Sequence, residues 1–209
     1  MINIWIGYDG QFQTNISPLL RSIRRHSHGE FNIRFLRLEM LNEKLWRQRD
    51  PNQSTDSAFT RWLVPYLSNY RGWHLYIDSD MMFRKPLAGL WNLIDDTKSV
   101  MVVKHNVLHN QTVKFNGHKQ LQYDRKNWSS LMLFNADRCR NLTLDYVNTA
   151  SGLDLHQFKW LDDSAIGQLP AEWNYLVGIN EPMADPALVH WTLSGPWQGP
   201  TEFSDEWIS

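Results

Sequence analysis

Two aspartates one residue apart, Asp78 and Asp80, directly follow a short apolar run in the sequence. The pattern predicts that residues 75–77 form a buried strand, and apolar residues resume at Met81. Two carboxylates in such surroundings are costly to bury unless positive charge compensates them. Open α/β folds bind ligands at the carboxyl ends of parallel strands, where a divalent cation would supply that charge. We therefore interpret the pair as ligands of Mg²⁺ or Mn²⁺ against a diphosphate; the alternative is an ordinary Asp-Ser-Asp turn.

Three further polar clusters fall at predicted strand ends or helix starts, where a site at the edge of a parallel sheet requires them. They are Tyr8 with Asp9, Asp162 with Asp163, and His190. Each has a structural alternative. Asp9 could cap a turn and Asp162 a helix, and a lone His at a strand end is often an ordinary hydrogen-bonded residue.

Arg61 lies on the predicted helix that precedes the acidic strand. If its face of the helix is exposed, Arg61 is a surface residue. If that face turns inward, its guanidinium would neutralise a phosphate or the two aspartates. The sequence leaves both possibilities open.

Alternating strands and helices are predicted to position these residues. The helices are placed after Ser17 and at residues 56–70, 86–94 and 141–150, with Pro65 kinking or shortening the second. The strands are placed at residues 2–6, 31–35, 75–77, 99–103, 128–134 and 187–189, and the polar stretch 104–127 is predicted to be a loop. Such alternation over 209 residues predicts one α/β domain with a mainly parallel sheet and helices on both faces.

The amino-acid composition argues against several classes of protein and of site. Apolar residues make up 42% of the chain and charged residues 21%, as in globular proteins. A net charge of -1 argues against a nucleic-acid binder. The single cysteine, Cys139, excludes an internal disulfide and a cysteine-based zinc site. No apolar run precedes the first strand and none could span a bilayer, so we expect a cytoplasmic protein without a transmembrane segment.

Several motifs together resemble the core of glycosyltransferase family 8, a group of GT-A enzymes with a Rossmann-like α/β fold. Residues 59–67 (Phe-Thr-Arg-Trp-Leu-Val-Pro-Tyr-Leu) resemble its Arg- and Pro-containing helix, residues 75–80 its Leu-Tyr-Leu-Asp-x-Asp strand, and residues 86–91 its short Leu-Trp helix. Similar segments follow in the family's order at residues 128–135, 162–167, 173–174 and 190–197. The resemblance covers most of the chain.

The resemblance implies a retaining transferase that uses Mn²⁺ (or Mg²⁺) and a nucleotide-sugar donor, typically linked to UDP. It implies a nucleotide-binding half at about residues 1–100 and an acceptor half at about 101–209, the acceptor being a glycan, a lipid-linked group or a protein. By position the metal ligands would be Asp78, Asp80 and His190. The donor would be held by Tyr8 and Asp9 at the base and ribose, by Arg61 and Asp162 at the sugar or phosphates, and by Ser79.

The sequence departs from the family pattern at three places. Gly195 replaces a Lys that neutralises the diphosphate, and Lys104 and Lys114 are candidates to supply that charge. Trp128 begins the segment that usually starts with Asn-x-Gly, so the contact from that Asn is lost. Asp163 stands where Gln is usual and is either a nucleophile toward the anomeric carbon, or a residue that orients the acceptor or caps a helix.

Three other functions remain as alternatives. A phosphatase-like Asp-x-Asp protein would carry the motif on its first strand with Thr two residues on, where this chain has Met82. A nucleotidyltransferase would show a basic Gly-rich N-terminal loop, and residues 7–10 (Gly-Tyr-Asp-Gly) contain no Lys or Arg. A sugar- or nucleotide-binding protein with a decayed catalytic site would explain the missing Lys.

Overall fold

The computed structural model describes residues 1–10, 15–27, 29–49, 53, 55–106 and 124–208. Lys114 and most of the predicted 104–127 loop lie outside these residues. The strands are β1 (Ile2–Gly7), β2 (Phe31–Leu36), β3 (Trp73–Ile77), β4 (Met81–Phe83), β5 (Val100–Val102), β6 (Leu131–Asn135), β7 (Ile166–Gln168), β8 (Tyr175–Leu176) and β9 (Leu188–His190). The α-helices are α1 (Ile16–His26), α2 (Ser57–Thr60), α3 (Val64–Leu67), α4 (Leu87–Trp91), α5 (Leu144–Thr149), α6 (Gly152–His156) and α7 (Ser204–Ile208).

The main sheet has six strands in the order β2-β1-β3-β6-β5-β7. Strand β6 is antiparallel to both of its neighbours, and the remaining pairs are parallel. The carboxyl ends of β1, β3, β5 and β7 therefore meet the start of β6 at one edge. The predicted mainly parallel, mixed α/β sheet is confirmed, and this edge is where the polar clusters were expected.

Apolar side chains cover both faces of the main sheet. In β3, Tyr76 belongs to one hydrophobic core while Leu75 and Ile77 belong to the other, because successive residues of a strand point to opposite faces. The first core includes Phe59 and Trp62 from the helical segment before β3. The second includes residues of α1 and α4, so helices lie on both faces as predicted. Among the described residues, no helix is long and apolar enough to cross a membrane.

A second, three-stranded sheet has the order β4-β9-β8. Strand β4 follows β3 in the chain after only the Asp-Ser-Asp triplet, and it pairs antiparallel with β9 so that Met81 lies opposite His190. The triplet therefore joins the two sheets. This pairing brings His190 to Asp78 and Asp80 although more than a hundred residues separate them in sequence.

Two predicted elements differ from the structure. The 56–70 helix is divided into α2, a 3₁₀ turn at Arg61–Leu63 and α3, which begins just before Pro65. The strand predicted at 128–134 begins only at Leu131, because Trp128–Ser130 form a 3₁₀ turn. The turn follows Asn127, whose φ of 66° is left-handed, and Ser130 Oγ donates a hydrogen bond to the Asn127 carbonyl over 2.7 Å.

Candidate active site

The side chains of Asp78, Asp80 and His190 converge where the two sheets meet. One ligand atom from each lies within 4.8 Å of the others. Backbone hydrogen bonds hold both aspartates, from the Asp78 N–H to the Ser130 carbonyl and from the Trp191 N–H to the Asp80 carbonyl, each 3.0 Å. The three expected metal ligands are thus brought together, and Ser79 is buried between the two aspartates.

A chain of hydrogen bonds orients the imidazole of His190, which is 2% exposed. Its Nδ1 lies 3.0 Å from Asn174 Oδ1, and Asn174 Nδ2 donates to Ser130 Oγ over 2.9 Å. Because Asn174 uses its amide nitrogen toward Ser130, its oxygen accepts the Nδ1 proton. In the neutral imidazole the lone pair of His190 is then on Nε2, which lies 3.3 Å from Asp80 Oδ1. This is the tautomer that a metal ligand requires.

The Oδ1 atom of Asp80 is buried without a hydrogen-bond partner among the described residues. An unsatisfied buried carboxylate oxygen is costly, and beside an imidazole lone pair it would be repelled. A divalent cation held by Asp80 and His190 would remove both costs. The donor set of two carboxylates and one imidazole therefore fits a Mn²⁺ or Mg²⁺ ion.

Arg61 faces inward, being only 6% exposed, and forms a two-point ion pair with Asp78. Its Nη2 lies 2.9 Å from Oδ1 and its Nη1 3.4 Å from Oδ2. The Tyr76 hydroxyl also donates to Oδ1, over 2.6 Å. Burial raises the pKa of Asp78 and the Asp80 charge adds to this, while the Arg61 guanidinium acts against both. Arg61 therefore supplies one positive charge against two carboxylates. The remaining negative charge is what a bound cation would balance.

Tyr8 and Asp9 follow β1, the strand beside β3. The Tyr8 ring packs against the Arg37 guanidinium, 4.3 Å from the ring centroid. Asp9 is 5% exposed, and its Oδ2 accepts the backbone N–H of Asp56, just before α2, over 2.9 Å. Asp9 thus ties the end of β1 to the start of the helical segment that carries Arg61.

Asp163 and Lys104 lie in a second group, in which Asp163 precedes the start of β7 and Lys104 follows the end of β5. Asp163, with 82% of its side chain exposed, forms an ion pair with Arg125 Nη2 at 2.5 Å. Lys104 Nζ donates to the Ile166 carbonyl over 2.9 Å. Asp162 lies just before the 3₁₀ turn Asp163–Ala165 but makes no side-chain capping bond there. Within the described residues, no hydrogen bond or ion pair joins this group to the metal ligands.

The position of the replaced lysine is sterically closed. A Cβ atom built at Gly195 would lie 2.2 Å from the Trp197 ring, so a side chain there requires the indole to move. Lysine is therefore incompatible with the observed position of Trp197. The cation that contacts the acidic pair in the described structure is Arg61.

Three residues of this site were given no role from the sequence. Asn174 and Ser130 orient His190, and Tyr76 donates to Asp78. For Asn174, the sequence feature that could have indicated a role is the match of residues 173–174 to a Trp-Asn motif. Nothing in the local sequence distinguishes Ser130, because its partner Asn174 lies 44 residues away. Tyr76 reads as an ordinary apolar strand residue, although its partner Asp78 is only two residues further on.

No protein-family model matches the chain. Protein CDI of Arabidopsis thaliana is 37% identical to it over 218 residues, which cover 99% of this chain and 84% of that protein. Among solved structures, the bifunctional glycosyltransferase WbbM superposes with a TM-score of 0.68 at 16% identity, over 99% of this chain. The chain spans 49% of WbbM, about half its length.

The galactosyltransferase LgtC, solved in complex with donor and acceptor sugar analogues, superposes with a TM-score of 0.65 at 13% identity. That alignment covers 99% of this chain and 94% of LgtC. At these identities the likeness shows the fold, while the likeness to Protein CDI shows the family. The chain belongs to the family of Protein CDI and has the GT-A fold expected of a glycosyltransferase family 8-like protein.

Proposed function

We propose that the protein is a metal-dependent glycosyltransferase that moves a hexosyl group from a UDP-sugar to an acceptor hydroxyl. The observation that carries the proposal is the convergence of Asp78, Asp80 and the imidazole of His190 at the sheet edge of a GT-A fold. We assign these three as ligands of Mn²⁺, which suits a mixed oxygen and nitrogen set better than Mg²⁺ does. When bound, the ion would stabilise the negative charge that develops on the leaving diphosphate.

The other proposed contacts to the donor come from residues near the same edge of the sheet. Tyr8 and Asp9, at the end of β1, are proposed to hold the base and ribose beside the metal ligands. Arg61 is the proposed contact to the diphosphate, since its ion pair with Asp78 already places a guanidinium at the metal site. Asp162 is proposed to bind hydroxyls of the donor sugar, and Ser79 to support the donor between the two aspartates.

Retention of configuration is the proposed stereochemical course. In a double displacement, an Asp163 oxygen would attack the anomeric carbon while the bonding electrons of the broken C–O bond leave with the diphosphate. The acceptor hydroxyl oxygen would then bond to the anomeric carbon and displace the Asp163 carboxylate, and its proton would pass to an oxygen of the departed diphosphate. The ion pair of Asp163 with Arg125 favours the other proposed role, in which Asp163 orients the acceptor.

A sugar- or nucleotide-binding protein without turnover is the second candidate. It is favoured by one observation, namely that Trp197 closes the position of the diphosphate-neutralising lysine. This protein would bind UDP and Mn²⁺ but would release no product. A cytoplasmic location and the division into donor and acceptor halves stay predictions.

Release of nucleoside diphosphate tests the proposal. The protein is incubated with Mn²⁺ and a panel of nucleotide sugars, and we expect one donor to be hydrolysed slowly without acceptor. Asp80→Asn should abolish release and weaken Mn²⁺-dependent UDP binding, whereas Asp145→Asn, the same change on α5, should leave both intact. If no donor is hydrolysed and Asp80→Asn binds UDP like the wild type, the transferase assignment fails; unchanged release in Asp80→Asn would refute the metal assignment.

A further inference from the structure

Two cationic side chains lie close to one aromatic ring, near the end of β5 and the start of β6. Lys104 Nζ lies 5.7 Å from the centroid of the Trp128 ring, and the Arg125 guanidinium carbon lies 5.4 Å from it. The Trp128 indole N–H donates to the His105 carbonyl over 2.9 Å, which holds the ring in place. We call Lys104, Arg125 and Trp128 the cation–tryptophan cluster.

Positive charge is in excess at this cluster. Burial lowers the pKa of Lys104, and the neighbouring charges of Arg125 and Lys98 lower it further, against the opposing effect of Asp163. Asp163 is 82% exposed and is already paired with Arg125. Among the described residues, no carboxylate forms an ion pair with Lys104. A half-buried ammonium in this environment is favourable when an anion binds beside it.

The backbone that presents the cluster is held in an uncommon conformation. Arg125 has a φ of 62° and Asn127 a φ of 66°, so two residues of this short turn are left-handed without being glycine. Such conformations cost free energy and are concentrated at binding and catalytic sites. Here the turn directs Arg125 and Trp128 toward Lys104.

The cluster is separate from the proposed diphosphate site. Of the proposed metal ligands, Asp78 and Asp80 follow the end of β3, and in the sheet order β3-β6-β5 the Lys104 strand is two positions away. Two strand spacings correspond to about 10 Å. The charges that act on Asp78 include Arg61 and Asp80, whereas those that act on Lys104 are Asp163, Arg125 and Lys98. The cluster therefore lies where the acceptor would approach a sugar held over β6.

We propose that the cation–tryptophan cluster binds an acidic acceptor, with Trp128 against a sugar ring and with Lys104 and Arg125 on a carboxylate or phosphate carried by that ring. This inference rests on the proposed function, since it assigns the acceptor side of the same site. It gives Lys104 a role on the acceptor instead of the donor diphosphate. Trp128 replaces the side-chain contact that an Asn would make at this position with an aromatic surface.

Binding of two matched glycosides tests the inference. Methyl glucuronide carries a carboxylate that methyl glucoside lacks. The affinity of the Mn²⁺- and UDP-loaded protein for each glycoside is measured by calorimetric titration. We expect the glucuronide to bind about tenfold more tightly, as a charge-assisted hydrogen bond provides. Lys104→Gln and Arg125→Gln should each remove most of this preference, while Lys159→Gln, the same loss of charge on an exposed residue, should retain it. Thermal melting confirms that each variant is folded.

Three results would overturn the inference. The first is equal binding of the two glycosides by the wild type. The second is an equal preference in Lys104→Gln and Lys159→Gln. The third is a loss of UDP affinity in Lys104→Gln with no change in glucuronide binding, which would assign the cluster to the donor diphosphate. Any of these, in a protein that still hydrolyses a donor, refutes the acidic acceptor and leaves the transferase assignment standing. The transferase assignment itself is refuted if no donor is hydrolysed and Asp80→Asn binds UDP like the wild type.

Discussion

Asn174 determines which nitrogen of His190 faces the carboxylates. Replacing it with alanine leaves the Nδ1 proton without an acceptor and frees the ring to take the other tautomer. Loss of such a supporting hydrogen bond weakens metal affinity by about 10- to 100-fold. We therefore expect Asn174→Ala to bind Mn²⁺ correspondingly more weakly, as measured by the electron paramagnetic resonance signal of free Mn²⁺ in a titration.

Asn148 provides the matched control for this prediction. It is also a buried asparagine, and its side chain bonds to the backbone of residues 44 and 144 and accepts from residues 46 and 47. Asn148→Ala should lower the free energy of unfolding but leave Mn²⁺ affinity unchanged. If both variants weaken Mn²⁺ binding equally, the loss reflects general stability and Asn174 has no specific effect on His190.

Arg61 and Asp78 form the most buried ion pair at the site. Removing one partner of a buried pair leaves an uncompensated charge, at a cost of about 3 kcal/mol. Arg61→Gln should therefore destabilise the metal-free protein by about this amount in urea unfolding, reduced by the 20% exposure of Asp78. Adding Asp78→Asn should recover part of the loss, so a double-mutant cycle gives a coupling energy of at least about 1 kcal/mol. Additive effects of the two changes would contradict this.

At the scale of elements, the end of β1 approaches β3 and α2 unusually closely. A Cβ atom at Gly7 would lie 2.4 Å from the Tyr76 hydroxyl oxygen and 2.9 Å from Ser57 Cβ. Gly7→Ala must displace Tyr76, which donates to Asp78, and overpacking of this kind costs about 1–3 kcal/mol. We expect a lower midpoint in urea unfolding and weaker Mn²⁺ binding. Gly29→Ala is the control, because a Cβ there meets nothing within 4 Å and should change neither property.

The elements that were predicted well are those whose residues carry a periodic apolar pattern. The alternation in residues 2–6 and 31–35 identified β1 and β2 to within one residue, since alternation of this kind is typical of strands. The 3₁₀ turn at Trp128–Ser130 was missed because its sequence is compatible with a strand. What makes it a turn is the left-handed backbone of Asn127 and a side-chain bond to its carbonyl. Neither of these two features can be recognised from the local sequence.

At the scale of the whole molecule, the candidate site depends on how the two sheets are placed against each other. The resemblance predicted Asp78, Asp80 and His190 as metal ligands, but the bonds that orient them join segments far apart in the chain. Asn174 reaches Ser130 across 44 residues, and Arg61 reaches the Ser129 carbonyl across 68. Sequence patterns report local periodicity, so such contacts emerge only when the strand order is known. The same strand order supports our proposal that Lys104 contacts the acceptor instead of the diphosphate.

The stability of the whole molecule should depend on pH through His74, a buried residue of β3 remote from the candidate site. Its Nδ1 accepts from the Trp5 indole over 3.1 Å, and its Nε2 lies 2.8 Å from the Arg71 carbonyl, so the ring is neutral with the proton on Nε2. Burial lowers the pKa of His74 below its ordinary value of 6.5, and Arg34 adds to this against the Arg71 bond and Asp137. The unfolded chain therefore takes up a proton at a higher pH than the folded protein does.

It follows that the contribution of His74 is fully present above about pH 6.5 and is lost as the pH falls from there to its folded pKa. Within that window the free energy of unfolding should fall by up to about 1.4 kcal/mol per pH unit. His74→Gln should be less stable than the wild type at pH 7.5 and should lose less stability on acidification, as measured by urea unfolding at intervals between pH 7.5 and 5. Equal slopes for the two proteins would show that folding does not lower the pKa of His74, against the burial of its ring and the hydrogen bond that it accepts from Trp5.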